Sequence, residues 1–207
     1  MLMLALVGCS MNSPNPPTKA ATTFYGAQFV PEGRRVSAPF AQVVFCDKTP
    51  GECAVSTKPV AVGYSLTTVA QLVIVNRQVN HFITPRPDPN LDTWSLFPEA
   101  GDCEDYALTK RHILVSQGWP ASALRLAIGA TDEKGHLVLV ARTTEGDFVL
   151  DNRSDAVMPW ASFYMQWMSV SSSTDPHVWY EVPPSGYTPL LSASLWPLPT
   201  SANRHDP

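Results

Sequence analysis

Charge is scarce in this sequence. Only 15% of its 207 residues are Asp, Glu, Lys or Arg, against about a quarter in an ordinary soluble domain. The net charge is −4, and no run of Lys or Arg exceeds two residues. That excludes a nucleic-acid groove and a polybasic membrane patch, both of which need clustered cations. Long apolar runs are missing too: none approaches the roughly 20 residues a helix needs to cross a bilayer. Glycine is sparse at 11 residues, against 20 prolines. The prolines fall mainly before residue 100 and after 180, which leaves the middle as the folded heart. With 44% hydrophobic residues, the chain suits one ordinary domain with a real core.

Cysteine is limited to four residues, and three of them have a reading of their own. Met1 to Gly8 (MLMLALVG) is an apolar stretch without a basic start, and Leu6-Val7-Gly8-Cys9 resembles the lipobox in which a bacterial lipoprotein is cleaved and lipidated at Cys. Export to the periplasm or outer membrane, with a membrane tether through lipidated Cys9, is the expectation. Residues 10–22 read as a polar, Pro-rich tether. Cys46 and Cys53 flank a Pro-Gly turn, and in an oxidising compartment they are expected to form a disulfide. Zinc is not expected there, since no other Cys or His lies close enough in sequence to complete four ligands. Cys103 remains.

The middle reads as helix followed by strands. Residues 66–80 place Leu72, Val75 and Val79 at helical spacing, and Thr84–Asn90 (TPRPDPN) must be loop because of its three prolines. A second helix runs from Cys103 to Gln117, with Asp102 as N-cap, Glu104 and Asp105 in the first turn, and Gly118 as its stop. Leu124–Ile128, His136–Arg142 and Asp147–Asp151 read as strands, the last two joined by a hairpin. Helix then strands predicts an α+β fold whose antiparallel sheet packs on the central, Cys-bearing helix. The domain spans residues 23–182, with 183–207 as a Pro-rich tail.

A hairpin turning through residues 143–144 puts His136 opposite Asp151, and a slip of two keeps both on one face as diagonal neighbours. Cys103 sits in the first turn of a helix, where unsatisfied N–H groups favour thiolate. Cysteine, then histidine, then an orienting aspartate form the thiol version of the nucleophilic triad. The clustered aromatics Trp160, Phe163, Tyr164 and Trp167 are expected to pack as core or as a lid over the sheet, with the lining of a substrate cleft as the alternative. His112 reads as structural, and His81, His177 and His205 show no evident partner.

Gly101-Asp102-Cys103-Glu104-Asp105-Tyr106-Ala107, with Thr109-Lys110, Gly118-Trp119-Pro120, Gly135-His136 and Val149-Leu150-Asp151-Asn152, resembles the bacterial transglutaminase-like cysteine proteinases, which include LapG-type periplasmic proteases. Phe45-Cys46, Glu52-Cys53, Val75-Asn76, Val79-Asn80 and Asp92-Thr93-Trp94 look like the family as well, and the likeness covers roughly residues 40–180. The resemblance implies a papain-like, transglutaminase-type core with Cys103 as nucleophile, His136 as general base and acid, and Asp151 as orienting acid. It also implies calcium near the nucleophile, for which Asp102, Glu104 and Asp105 supply hard oxygen ligands; helix capping with a salt bridge to Lys110 or Arg111 is the alternative. For the oxyanion, the Cys103 N–H is the default donor and Trp94 a neighbour to consider.

The expected function is an exported endopeptidase acting on a protein, such as a surface adhesin, through a thioester. By resemblance, a cyclic-di-GMP-responsive membrane receptor is a candidate partner. Acyl transfer to an amine, or a non-catalytic tethered binding protein of the same fold, are the competing readings.

Overall fold

Residues 29–87, 93–132 and 134–183 are described by a computed structural model. Cys9 with its lipobox, the tether, His205 and the tail from residue 184 lie outside the described residues. After a two-residue strand β1 (Arg35–Val36), helix α1 (Phe40–Lys48) runs into a 3₁₀ turn at Pro50–Cys53. Cys46 and Cys53 are bridged, with their Cα atoms 5.5 Å apart. The disulfide thus ties the end of α1 to the turn, as the spacing predicts.

Helix α2 (Leu66–Phe82) begins at Ser65, whose hydroxyl accepts the Thr68 N–H at 3.0 Å. It buries Leu72, Val75 and Val79 and runs two residues beyond the expected end at 80. The Pro-rich stretch that follows is not all loop. Thr84–Pro85 forms strand β2, parallel to β3 (Ala100–Gly101). Proline fits there because the donors are its neighbours: the Thr84 N–H meets Glu99 O and the Arg86 N–H meets Gly101 O. The missing N–H of Pro85 falls in the gap between them.

Helix α3 (Cys103–Ser116) starts directly after β3 and ends at Gly118, whose φ of +95° favours glycine. Strands β4 (Leu124–Thr131), β5 (Lys134–Thr143) and β6 (Gly146–Leu150) follow as a meander. They are longer than expected at the β4–β5 end. Strands β7 (Met158–Pro159), β8 (Gln166–Ser171) and β9 (Trp179–Glu181) complete an antiparallel sheet ordered β1-β9-β8-β4-β5-β6-β7. No described helix is long and apolar enough to cross a membrane.

Strand alternation divides the core in two. Leu137, Leu139 and Ala141 of β5 join Leu72, Val75, Tyr106 and Leu114 from α2 and α3. Val138 and Val140 join Trp160, Phe163, Met165 and Trp167 in a second cluster. The aromatic run is therefore core, apart from Tyr164, which is 75% exposed. Gly129 admits the β8 side closely: a Cβ there would lie 2.5 Å from Gln166 O.

Candidate active site

The acidic turn before and within α3 is tightly packed around its glycine. A Cβ on Gly101 would fall 2.0 Å from a carboxylate oxygen of Asp105, so glycine makes room for that buried acid. The other Asp105 oxygen accepts the Ser95 N–H at 2.8 Å, which fastens the segment ahead of β3 to α3. Asp102 occupies the N-cap position with extended backbone, but its side chain makes no capping bond to the helix. Glu104 is buried and its Oε2 lies 3.5 Å from the Cys103 Sγ, which donates to it.

Cys103 is the free cysteine among the described residues. Its Sγ also accepts the Leu137 N–H at 3.4 Å. Strand β6 ends at Leu150, paired with Leu139, so Leu137 has no strand partner on that side and turns its N–H to the thiol. The expectation that the helix N-terminus makes Cys103 a thiolate does not hold in this conformation. Burial first, then the negative charges of Glu104 and Asp102, push the thiol up to about 12 against the lowering effect of the Leu137 N–H. Desolvation and two anions outweigh the one N–H that favours the thiolate.

On the sheet, Thr143 pairs with Gly146 and Leu139 with Leu150. The register is thus slipped by two from a turn at 143–144, and His136 and Asp151 are diagonal neighbours of the same parity. His136 Nε2 lies 2.7 Å from Asp151 Oδ1, with the imidazole almost wholly buried. Burial would raise the Asp151 carboxyl, but the His136 bond, the Arg153 N–H and the Lys110 charge together hold it below the usual carboxylate value. An ionised Asp151 can only accept, so Nε2 carries a proton and, in the neutral tautomer, the lone pair falls on Nδ1. Nδ1 is buried and meets no hydrogen-bond partner among the described residues.

Helix and strand therefore bring Cys103 beside the start of β5, where His136 and Leu137 sit. In this conformation the thiol bonds to Glu104 rather than to the imidazole. Trp94 is buried in the main core. Arg111 turns away from the acidic turn to Glu52, at 3.3 Å. Glu52 also meets His112 Nδ1 at 2.6 Å, in keeping with a structural His112. His81 and His177, read as lacking partners, bond Asp155 and Asp175 at 3.0 Å each. Those partners lie 74 and 2 residues away in sequence, and for His81 only folding could reveal the pairing.

Asn80 figures in the family resemblance, but sequence reasoning gave it no role. Its side-chain amide donates to the carbonyls of Asp151 and Ser154 at 3.0 Å each, and Asn76 donates to Ser154 O at 2.8 Å. Together they pin the turn that carries Asp151. Their signal was present as two asparagines four apart on a face otherwise lined by Val75 and Val79.

A helix that presents a cysteine at its N-terminus to an antiparallel sheet bearing histidine and aspartate is the papain-like, transglutaminase-type α+β arrangement. The sequence profile of the bacterial transglutaminase-like cysteine proteinases (BTLCP) matches residues 32–186, and the chain belongs to that family of cysteine peptidases. Among solved structures it is similar to Legionella pneumophila LapG in a calcium-bound form (23% identity, TM-score 0.46, covering 63% of this chain and 73% of that one). An EGTA-treated form of the same protein matches at 22% identity and TM-score 0.49, covering 73% and 83%. No curated protein sequence matches.

Proposed function

We propose that this peptidase is an exported cysteine endopeptidase in which Cys103, His136 and Asp151 form the catalytic set. The observation that carries this reading is the buried His136–Asp151 pair at 2.7 Å, which leaves Nδ1 without a partner among the described residues, on the strand whose next residue, Leu137, donates to Cys103 Sγ. Asp151 fixes the tautomer and stabilises the imidazolium. His136 Nδ1 takes the thiol proton as Cys103 attacks the scissile carbonyl, and returns it to the leaving amine. Water then hydrolyses the thioester. First-turn N–H groups of α3, that of Cys103 first, supply donors for the oxyanion. With the thiol at about 12, proton transfer to His136 must accompany attack or follow relief of the local negative charge.

Calcium bears on that relief. Asp102, Glu104 and Asp105 are hard oxygen donors in one turn that holds no basic side chain, a chemistry suited to Ca²⁺. Among the described residues, no group of three or more potential ligands is gathered into a closed cage, and Asp105 already serves Ser95. Asp102 and Glu104 are the acids best placed beside the thiol to hold the ion. When bound, it would supply positive charge next to Cys103 and offset the two anions that oppose its ionisation.

The N-terminal lipobox supports export and a tether at Cys9, and the family supports a protein substrate such as a surface adhesin. A cyclic-di-GMP-responsive receptor belongs to the same reading. The deciding experiment is labelling with a thiol-directed peptidase probe at neutral pH. Labelling of Cys103 that is lost in folded His136→Ala is expected; equal labelling in both would sink the catalytic assignment. Mapping new N-termini after incubation with a surface proteome identifies the substrate.

A further inference from the structure

Strand β6 ends at Leu150, whose partner on β5 is Leu139, so Asp151 is the first residue that the ladder no longer holds. Its carboxylate is tied to its own turn instead. Oδ1 accepts the Arg153 N–H at 3.2 Å, the Asx arrangement in which an aspartate bonds the backbone two residues on. The same Oδ1 meets His136 Nε2 at 2.7 Å. The carboxylate therefore moves with the turn. Whatever places the turn against the body of the domain also places the carboxylate against the imidazole.

Helix α2 does the placing. The Asn80 amide donates to the main-chain carbonyls of Asp151 and Ser154, at 3.0 Å each, and reaches Asp155 Oδ1 at 3.3 Å. It thus spans the turn from Asp151 to Asp155. Asn76, one helical turn earlier, touches the far end, at Ser154 O. The pairs of Asp155 with His81 and Arg77 are exposed to solvent and hold the turn weakly. The sense of the Asn80 amide is fixed by its surroundings: turned over, its oxygen would face two carbonyls and a carboxylate. That orientation leaves Oδ1 buried without a hydrogen-bond partner among the described residues. A buried acceptor left so is costly, and the cost falls at the residue that holds the Asp151 carbonyl.

We propose that Asn80 is a positioning residue of the catalytic set: by holding the main-chain carbonyl of Asp151 it fixes how that carboxylate meets the His136 ring. The path is Asn80 Nδ2 to Asp151 O at 3.0 Å, then Asp151 Oδ1 to His136 Nε2 at 2.7 Å. Without Asn80 the turn drifts and the carboxylate loosens its hold on the Nε2 proton. The imidazolium formed when Cys103 gives up its proton then loses its counter-charge. This inference rests on the reading of His136 and Asp151 as the catalytic pair.

The first test is ¹H NMR of the His136 Nε2 proton in the full chain carrying Cys103→Ala. Enclosed and bonded to a carboxylate, that proton should resonate far downfield and exchange slowly with water. Adding Asn80→Ala should move it upfield and speed its exchange, whereas adding Gln71→Ala should leave both as they were. Gln71 is another side-chain amide of α2, and it bonds away from the site, to Gln117 and Trp119. The second test is the rate at which iodoacetamide alkylates Cys103 at neutral pH. Asn80→Ala should slow it about 10–100-fold, as misplacement of a catalytic group by up to about 1 Å does. Gln71→Ala should stay within about twofold of wild type. Should Asn80→Ala fail to fold, Asn80→Ser, too short to reach the Asp151 carbonyl, takes its place with the same expected results. A His136 proton unmoved in the folded Asn80 variant, or an alkylation rate lowered equally by Gln71→Ala, would overturn the proposal. The proton reading involves no thiol and no turnover. Failure of the link to Asp151 is therefore distinguishable from failure of the catalytic assignment, which labelling of His136→Ala decides.

Discussion

Removing the Glu52 carboxylate should loosen the helix that carries Cys103. Glu52 sits in the 3₁₀ turn beside the disulfide and grips α3 twice. Its carbonyl accepts Arg111 Nη1 at 2.8 Å, and its carboxylate meets Arg111 at 3.3 Å and His112 at 2.6 Å. The Arg111 side chain is only 8% exposed; burial depresses its guanidinium and Glu52 opposes that. Stripping one partner from a buried pair costs about 3–5 kcal/mol. In Glu52→Ala, Arg111 keeps the backbone carbonyls of residue 52 and Leu124, so we expect about 2–3 kcal/mol, the lower part of the scale for buried charge loss. Opening the disulfide, whose cysteines are seven residues apart, should cost about 2–2.5 kcal/mol in the chain-entropy model. Because Glu52 adjoins Cys53, the two losses share one turn, and a coupling of at least about 0.5 kcal/mol is expected between neighbours of this kind. Urea unfolding of wild type, Glu52→Ala, the Cys46→Ala/Cys53→Ala pair and the combined variant measures all three numbers. Strict additivity, or a Glu52→Ala loss below about 0.5 kcal/mol, the range of ordinary surface substitutions, would refute the clamp.

Cys103→Ala should abolish hydrolysis while leaving the melting temperature close to wild type; cleavage at the wild-type rate would remove Cys103 from the mechanism. Asp151→Asn should lower kcat by about 10³–10⁴-fold, as loss of the orienting carboxylate does in such triads, and steady-state kinetics on a mapped substrate checks this. Lys110 gives a pH dependence with a definite sign. Burial lowers it from 10.5 to about 7 in the fold, so between those values the unfolded chain binds the extra proton and stability rises with pH. The burden below pH 7 is on the order of 5 kcal/mol at 1.36 kcal/mol per unit. Lys110→Met should therefore be more stable than wild type in acid, with the advantage shrinking towards pH 10; a pH-independent difference in urea unfolding would contradict the buried cation. Calcium should raise the melting temperature and activity together, with a stability gain of about 2.7 kcal/mol at 100 times its Kd, and Glu104→Ala should blunt both; identical melts in EGTA and calcium would leave these acids as structural groups alone.

The local sequence determined the elements that carry the chemistry. Residues 103–116 form a helix because a glycine-flanked stretch places apolar side chains at helical spacing. The hairpin at 143–146 brings two strands together, and their parity puts His136 and Asp151 on one face whatever the even slip. The disulfide is legible for the same reason: its cysteines are seven residues apart, and a turn at Pro50-Gly51 is enough to bring them together. Short-range spacing is enough wherever the partners are linked by a short chain. Tertiary packing decided what spacing cannot carry. Burial raised the Cys103 thiol, although a helix N-terminus by itself predicts the opposite, because desolvation depends on everything that covers the sulfur. Glu52 reaches Arg111 from 59 residues away, and Asn80 holds Asp151 from 71 away; neither distance leaves a periodic trace. Lys110 reads in the sequence as a salt-bridge partner for the acidic turn, and only the packing of α3 shows that its side chain is buried with no hydrogen-bond acceptor among the described residues.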